Sequence, residues 1–260
     1  MTQTIQLGGT SLELVERGQG RPLLFLHAGE GLAPERPWLD LLSRHYRVVA
    51  PSHPGYDASP LIDSGAGGID DLAYIYLDLA RELGLEDAVL VGTDLGGWIA
   101  AEMMVRSTAR FSCLALVAPL GIKLRGRDER DIADIHAMTH AEYLQAAWAD
   151  PAKGEVDYTA LPDSELTAVV HGREAFALYG WKPYMHNPRL KRWLHRIDQP
   201  TLLLWGAQDG IVTPDYGEGW RQEIPGARLD IIPAAGHFPH WEQPDAFVQR
   251  LSAFIESPNA

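Results

Sequence analysis

The sequence predicts an α/β fold: a mainly parallel central sheet covered by helices. Three features of the chain carry that expectation. Short, continuously apolar runs alternate with segments of helical spacing. The runs lack an exposed polar face, as strands covered on both sides do. His27, Asp94, Asp209 and His237 stand at or just beyond the ends of such runs, where ligands bind in open parallel sheets.

Leu12 to Arg17 alternates weakly and reads as an edge strand, closed by the turn Gly18-Gln19-Gly20. Pro22 to His27 stays apolar until its last residue, as a central strand does. A Gly- and Pro-rich loop, 28–34, leads to a short helix from Trp38 to Arg44 and a strand from Tyr46 to Pro51. The loop from Ser52 to Pro60 follows. Ile69 to Leu83 places Leu72, Ile75, Leu79 and Leu83 at helical spacing around Tyr76, and Gly84 ends the helix. Ala88 to Val91 is a buried strand that turns through Gly92-Thr93-Asp94-Leu95-Gly96-Gly97 into a helix beginning at Trp98. A tight turn of small residues between strand and helix pushes its middle side chain out at the sheet edge. Here that side chain is Asp94. Cys113 to Val117 is the next strand, closed by Ala118-Pro119.

After Gly121 the alternation stops. Between Ile122 and Arg196 charge density rises, helix-like segments fall at 131–148, 163–178 and 188–195, and Pro151, Pro162, Pro183 and Pro188 punctuate them. This predicts a helical cap, 122–196, inserted into a core formed by 1–121 and 197–260. Alternation resumes with a strand at Thr201 to Trp205, a short helix that includes Trp220 to Ile224, and a strand at Leu229 to Ile232. An amphipathic helix from Ala246 to Glu256 closes the chain, with Phe247, Leu251, Phe254 and Ile255 inward.

At 260 residues the chain suits one large domain or a domain with an insertion. A net charge of −13, from 22 basic and 35 acidic residues, disfavours nucleic acid and anionic membranes as partners. The mixed run Lys123 to Asp131 reads as a solvated hinge, because its acids cancel its bases. Cys113 is the only cysteine, so neither an intrachain disulfide nor a thiolate metal site is expected. No leader pattern precedes Gly20 and no run of about 18 apolar residues exists, which predicts a cytoplasmic setting without membrane contact. A P-loop and a G-x-G-x-x-G after the first strand are lacking. His237 and His240 lie three apart but form no convincing metal box. No metal or cofactor is therefore expected. The expected partner is a small-molecule substrate, and the expected state is a monomer or homodimer.

Four stretches occur in a telling order: His27-Ala28-Gly29-Glu30-Gly31, Gly92-Thr93-Asp94-Leu95-Gly96-Gly97, Gly206-Ala207-Gln208-Asp209-Gly210-Ile211-Val212, and Gly236-His237-Phe238-Pro239-His240-Trp241-Glu242-Gln243-Pro244. Together they resemble the oxyanion loop, nucleophile elbow, acid loop and histidine loop of α/β-hydrolases over nearly the whole chain. The resemblance implies the α/β-hydrolase fold with an inserted cap and a catalytic set of Asp94, His237 and Asp209. It implies oxyanion donors in the N–H of Leu95 and the Ala28–Gly29 peptide region. The cap and C-terminal half are similar to esterases, lactonases and carbon–carbon bond hydrolases, whose elbow carries serine. The elbow aspartate instead resembles epoxide hydrolases and haloalkane dehalogenases. Those place Trp directly after the nucleophile, where this chain has Leu95, and continue the oxyanion loop to a Pro, where this chain has Glu30.

An ionised carboxylate attacks an electrophilic carbon without a general base. His237 would then activate water, and Asp209 would hold its tautomer. His27 reads as a structural tie for its loop. Candidates for substrate contact are Glu30, Trp98, Tyr143, Trp148, Tyr179, Trp181, Tyr184 and Phe238, with Trp98 or a cap tryptophan offering an indole N–H to a leaving group. Three readings remain open. One is a hydrolase with Asp94 attacking covalently, on an epoxide or related electrophile. The second is a serine-type esterase or carbon–carbon hydrolase lineage in which Asp94 alters or abolishes the activity. The third is a non-catalytic binding protein on the same frame.

Overall fold

A computed structural model describes residues 2–7, 9–32, 36–62, 67–126 and 128–258. Eight strands form one sheet: β1 (Thr2–Leu7), β2 (Thr10–Arg17), β3 (Pro22–Leu26), β4 (Arg47–Pro51), β5 (Ala88–Thr93), β6 (Phe111–Val117), β7 (Thr201–Gly206) and β8 (Arg228–Ile232). Their order is β1-β2-β4-β3-β5-β6-β7-β8. The two pairings of β2 are antiparallel and the other five are parallel. From β3 the chain steps to one side for β4 and to the other for β5. That reversal opens a crevice beyond the carboxyl ends of the strands, the usual ligand site of such sheets.

The two-residue period of the central strands explains the layers. Leu24, Leu26, Leu90, Leu114, Leu116, Leu203 and Trp205 face one side, with α2 (Ile69–Glu82), α3 (Asp94–Arg106) and α6 (Pro214–Glu223) packed on them. Leu23, Phe25, Val89, Val91, Cys113, Ala115, Val117, Leu202 and Leu204 face the other, under α1 (Arg36–Leu42) and α8 (Pro244–Glu256). Each large side chain so buried contributes about 1.5–3 kcal/mol of transfer free energy. The thiol of Cys113 lies in this second layer, and burial pushes its pKa up.

Several boundaries differ from the expectation. Leu12 to Arg17 is not at the edge, because β1 pairs outside it. The alternation of β1 is too polar to announce a strand: most of its residues are exposed. Helix α1 begins at Arg36 and ends at Leu42, whose carbonyl takes the N–H groups of His45 and Tyr46. The helix expected from Trp98 starts at Asp94 itself. Of the span 131–148, only α4 (His140–Ala147) is helical. Thr139 and Glu142 cap its start reciprocally, the Glu142 carboxylate accepting from the Thr139 N–H at 2.8 Å. Upstream, the Asp131 carboxylate accepts from the N–H groups of Leu124 and Arg125 at 3.0 and 3.1 Å, which holds that stretch in a turn. The middle helix runs longer than expected as α5 (Asp163–Gly180), and 188–195 is a 3-10 helix, Leu190–Arg196. The loop after His237 contains one further turn of helix, α7 (Pro239–Glu242). No described helix is long and apolar enough to cross a membrane.

The junction of β5 with α3 is tightly packed, backbone against backbone. Asp94 holds a left-handed backbone at φ 49°, a conformation that costs a non-glycine residue and persists only where the surroundings impose it. A Cβ at Gly92 would lie 2.3 Å from the Gly96 carbonyl oxygen, and one at Gly96 would lie 2.2 Å from that of Leu26. Both contacts are with backbone that cannot swing aside. We therefore expect Gly96→Ala to destabilise the fold by about 1–3 kcal/mol, the usual range for overpacking, as read from the urea unfolding midpoint. An unchanged midpoint would show that the junction is looser than its geometry requires.

Candidate active site

Four strand ends converge on one point. Asp94 follows β5, Gly29 follows β3, Asp209 follows β7 and His237 follows β8. Asp94, Asp209 and His237 are each at most 5% exposed. His237 Nδ1 lies 2.9 Å from Asp209 Oδ2, and His237 Nε2 lies 3.2 Å from Asp94 Oδ1. The second Asp94 oxygen, Oδ2, accepts the Gly29 N–H at 2.9 Å. Asp94 is thus held at both oxygens, by an imidazole and by the main chain of the loop expected to supply an oxyanion donor. Leu95 is fully buried in the first turn of α3, where N–H groups have no earlier helical carbonyl to serve them.

The charges follow from burial and proximity. Burial opposes a charged His237, but Asp209 and Asp94 outweigh it and raise its pKa to about 10. The imidazole is therefore an imidazolium at neutral pH. Burial pushes the Asp209 carboxyl up, while His237 and the N–H groups of Val212 and Ile211 pull it back. Those N–H groups donate to Asp209 Oδ1 at 3.0 and 2.9 Å, which leaves Oδ2 aimed at the ring.

The segment between β6 and β7 grips this centre. The carbonyls of Ala146 and Ala147, at the end of α4, accept from Gly210 N at 2.8 Å and His237 N at 2.7 Å. Glu242, 4% exposed, adds a second tie. Its carboxylate accepts from Gly236 N at 2.6 Å, Ala149 N at 3.2 Å and Asp150 N at 3.1 Å. The histidine loop and the chain leaving α4 are therefore joined through one buried acid. In the sequence Glu242 carries no signal of its own beyond its place in the histidine-loop stretch.

Above Asp94 lies a chamber of about 20 Å³, lined in part by Glu30, Tyr143, Tyr184, Phe238 and His237. That is room for about one water. The Tyr143 hydroxyl donates to Glu30 Oε1, spanning from α4 to the loop after β3. Burial and the nearby Glu30 and Asp94 carboxylates push the Tyr143 pKa well up. Apolar walls that the sequence did not single out come from Leu120, Ile132, Phe176, Met185 and Ile211, residues scattered along the chain without a motif.

Other candidates lie elsewhere. Trp98 does not line the chamber: its indole N–H donates to Glu102 Oε1 at 3.3 Å, and its ring covers Gly121. The helical turn from Asp94 carries Trp98 away from the crevice. Trp148 packs 5.3 Å from Phe238 and 5.4 Å from Trp241, so it braces the histidine loop. Tyr179 is buried with its hydroxyl on the Pro54 carbonyl at 2.9 Å. Trp181 lines a separate, outer cavity. His27 ties its loop, accepting the His53 N–H at Nε2 at 2.9 Å. The His240 ring packs 5.2 Å from Trp38 and 5.7 Å from Phe247, in the core layer.

Comparison with known proteins agrees with this frame. The model of the "Alpha/beta hydrolase family" matches residues 23–250. A pimeloyl-[acyl-carrier protein] methyl ester esterase of Photobacterium profundum is 28% identical over 260 residues, covering 95% of this chain and 99% of that protein. A 2-hydroxy-6-oxo-6-phenylhexa-2,4-dienoate hydrolase of Burkholderia cepacia is 25% identical over 281 residues, covering 96% and 92%. A serine hydrolase from the polyaromatic-hydrocarbon-degrading bacterium Cycloclasticus zankles has the same fold, with a TM-score of 0.82 at 20% identity and 98% of each chain covered.

Two outcomes are expected. A His237 whose folded pKa of about 10 exceeds its ordinary 6.5 binds an extra proton in the folded chain. That stability is full below about pH 6.5 and is lost as pH rises toward about 10. Urea unfolding of the wild type should weaken across this window, and that of His237→Gln should weaken less; parallel curves would contradict the ion pair. Glu242→Ala should cost about 1–3 kcal/mol, because buried N–H donors lose their acceptor, and should lower turnover more than it raises KM.

Proposed function

The chain belongs to the alpha/beta hydrolase family, and within it we propose a cofactor-free hydrolase of small organic substrates, built on an esterase and carbon–carbon hydrolase frame, with Asp94 attacking in place of a serine. The frame is supported by relatives with those activities in their names that align over more than nine-tenths of their length. The observation that carries the chemistry is the grip on both Asp94 oxygens, by His237 and by the Gly29 N–H.

That grip bears on the choice of reaction. A serine-type hydrolase needs its loop N–H groups for the oxygen of a substrate carbonyl. Here Asp94 Oδ2 already sits on the Gly29 N–H, so carbonyl activation of that kind is suppressed. Attack by Oδ1 on the saturated carbon of an epoxide, which carries its own oxygen leaving group, makes no such demand. The substrate carbon–oxygen bond breaks, and the departing oxygen takes the electron pair and the Nε2 proton of the His237 imidazolium. Asp94 is then a neutral ester, and the loss of its charge lowers the His237 pKa. The neutral imidazole accepts a proton from water as the water oxygen adds to the Asp94 carboxyl carbon. The oxyanion that forms is Oδ2, already on its donor. Collapse expels the product oxygen, and the proton on His237 returns to complete the alcohol. The new Asp94 carboxylic acid then ionises to His237, which restores the starting charges.

Incubation with styrene oxide and with p-nitrophenyl acetate tests this. An adduct on Asp94 should form slowly in His237→Gln, which lacks the proton for the departing oxygen, and should then persist because the base for its hydrolysis is gone too; intact mass and peptide mapping detect it. Asp94→Ala should lose at least about a thousandfold in turnover, and wild-type rates in that variant would sink the proposal. Asp94→Ser should gain acetate-ester hydrolysis, because its shorter side chain vacates the Gly29 N–H.

A further inference from the structure

The inner chamber is too small for a substrate, at about 20 Å³. Against it lies a second cavity of about 650 Å³, within the usual size range of small-molecule sites. Ile132 and Tyr184 line both spaces, so the two are separated by a wall of those side chains. The Tyr184 hydroxyl donates to the Ala133 carbonyl and accepts from the Ile135 N–H, each at 3.0 Å, which pins its ring in that wall.

The charged residues around the outer cavity are largely matched among themselves. Lys123 pairs with Asp131, and Arg130 with Asp134. The flat rings are what they leave for a ligand. Trp181 is 64% exposed, the most exposed of the large hydrophobic side chains described. The His136 ring lies 6.0 Å from Trp181 and 6.2 Å from Tyr184, both edge-on. An indole left in water at the mouth of a ligand-sized cavity has area to gain from a stacking partner.

We propose that this outer cavity is a subsite for a planar aromatic group of the substrate, which stacks on Trp181 while the reactive end passes the Ile132–Tyr184 wall to reach Asp94. The assignment rests on the proposed role of Asp94 for the position of the reactive end; the affinity for aromatic groups stands without it. Substrates of this class are elongated, with a small electrophilic end and an aromatic ring beyond it.

Calorimetric binding of phenylacetamide and cyclohexylacetamide, two uncharged probes of similar size, tests the subsite without turnover. The wild type should bind the aromatic probe about three- to tenfold more tightly, the range that ring stacking provides. Trp181→Ala should abolish that preference, and its exposed position makes the substitution harmless to folding. Asp94→Ala should keep it, so a failure of the covalent chemistry leaves this result readable. Equal affinities in the wild type, binding of neither probe, or a preference that survives in Trp181→Ala would each overturn the proposal.

Discussion

The interaction on which the centre depends is the buried imidazolium between two carboxylates. His237 touches Asp209 on one side and Asp94 on the other. A buried charge without such neighbours would neutralise itself rather than persist. With two acids in contact, the ring stays charged and the acids are held in direction. The surrounding main chain completes the arrangement: Ile211 and Val212 fix one acid, and Gly29 fixes the other. The sheet's contribution is to bring four loops from separate strands to one place, and the crowded β5–α3 junction delivers Asp94 among them.

The frame was largely legible in the sequence because strands buried on both faces write long apolar runs. The two faces of β3, β5 and β7 separate by simple alternation, and the loops beyond them carry the polar singletons. β1 escaped notice since its exposed edge needs no apolar pattern. The break in alternation between β6 and β7 was legible, and so was the middle helix of that segment, but the late start of α4 was not. Asp131 spends its side chain on turn N–H groups and Thr139 caps a later start, choices made by local hydrogen bonding within a run of ambiguous propensity.

For the site, Asp94, His237, Asp209 and Gly29 lie together at the strand ends, each in a loop with its own small-residue context. The aromatic candidates divided differently. Tyr143, Tyr184 and Phe238 line the inner chamber, whereas Trp98, Trp148 and Tyr179 spend their polar atoms or ring faces on internal packing. An aromatic side chain in a sequence gives no sign of which way its ring turns. That depends on neighbours such as Glu102 and Trp241, which lie near it only after folding.

The end of α4 has a mechanical meaning. Two successive carbonyls there hold the main chain of the acid loop and of the histidine loop. Whatever admits a substrate must leave that post standing, for lifting it would unseat both members of the charge pair together. A displacement of chain elsewhere around the chamber leaves both hydrogen bonds intact, so the acid and the imidazole keep their register through one short stretch of main chain.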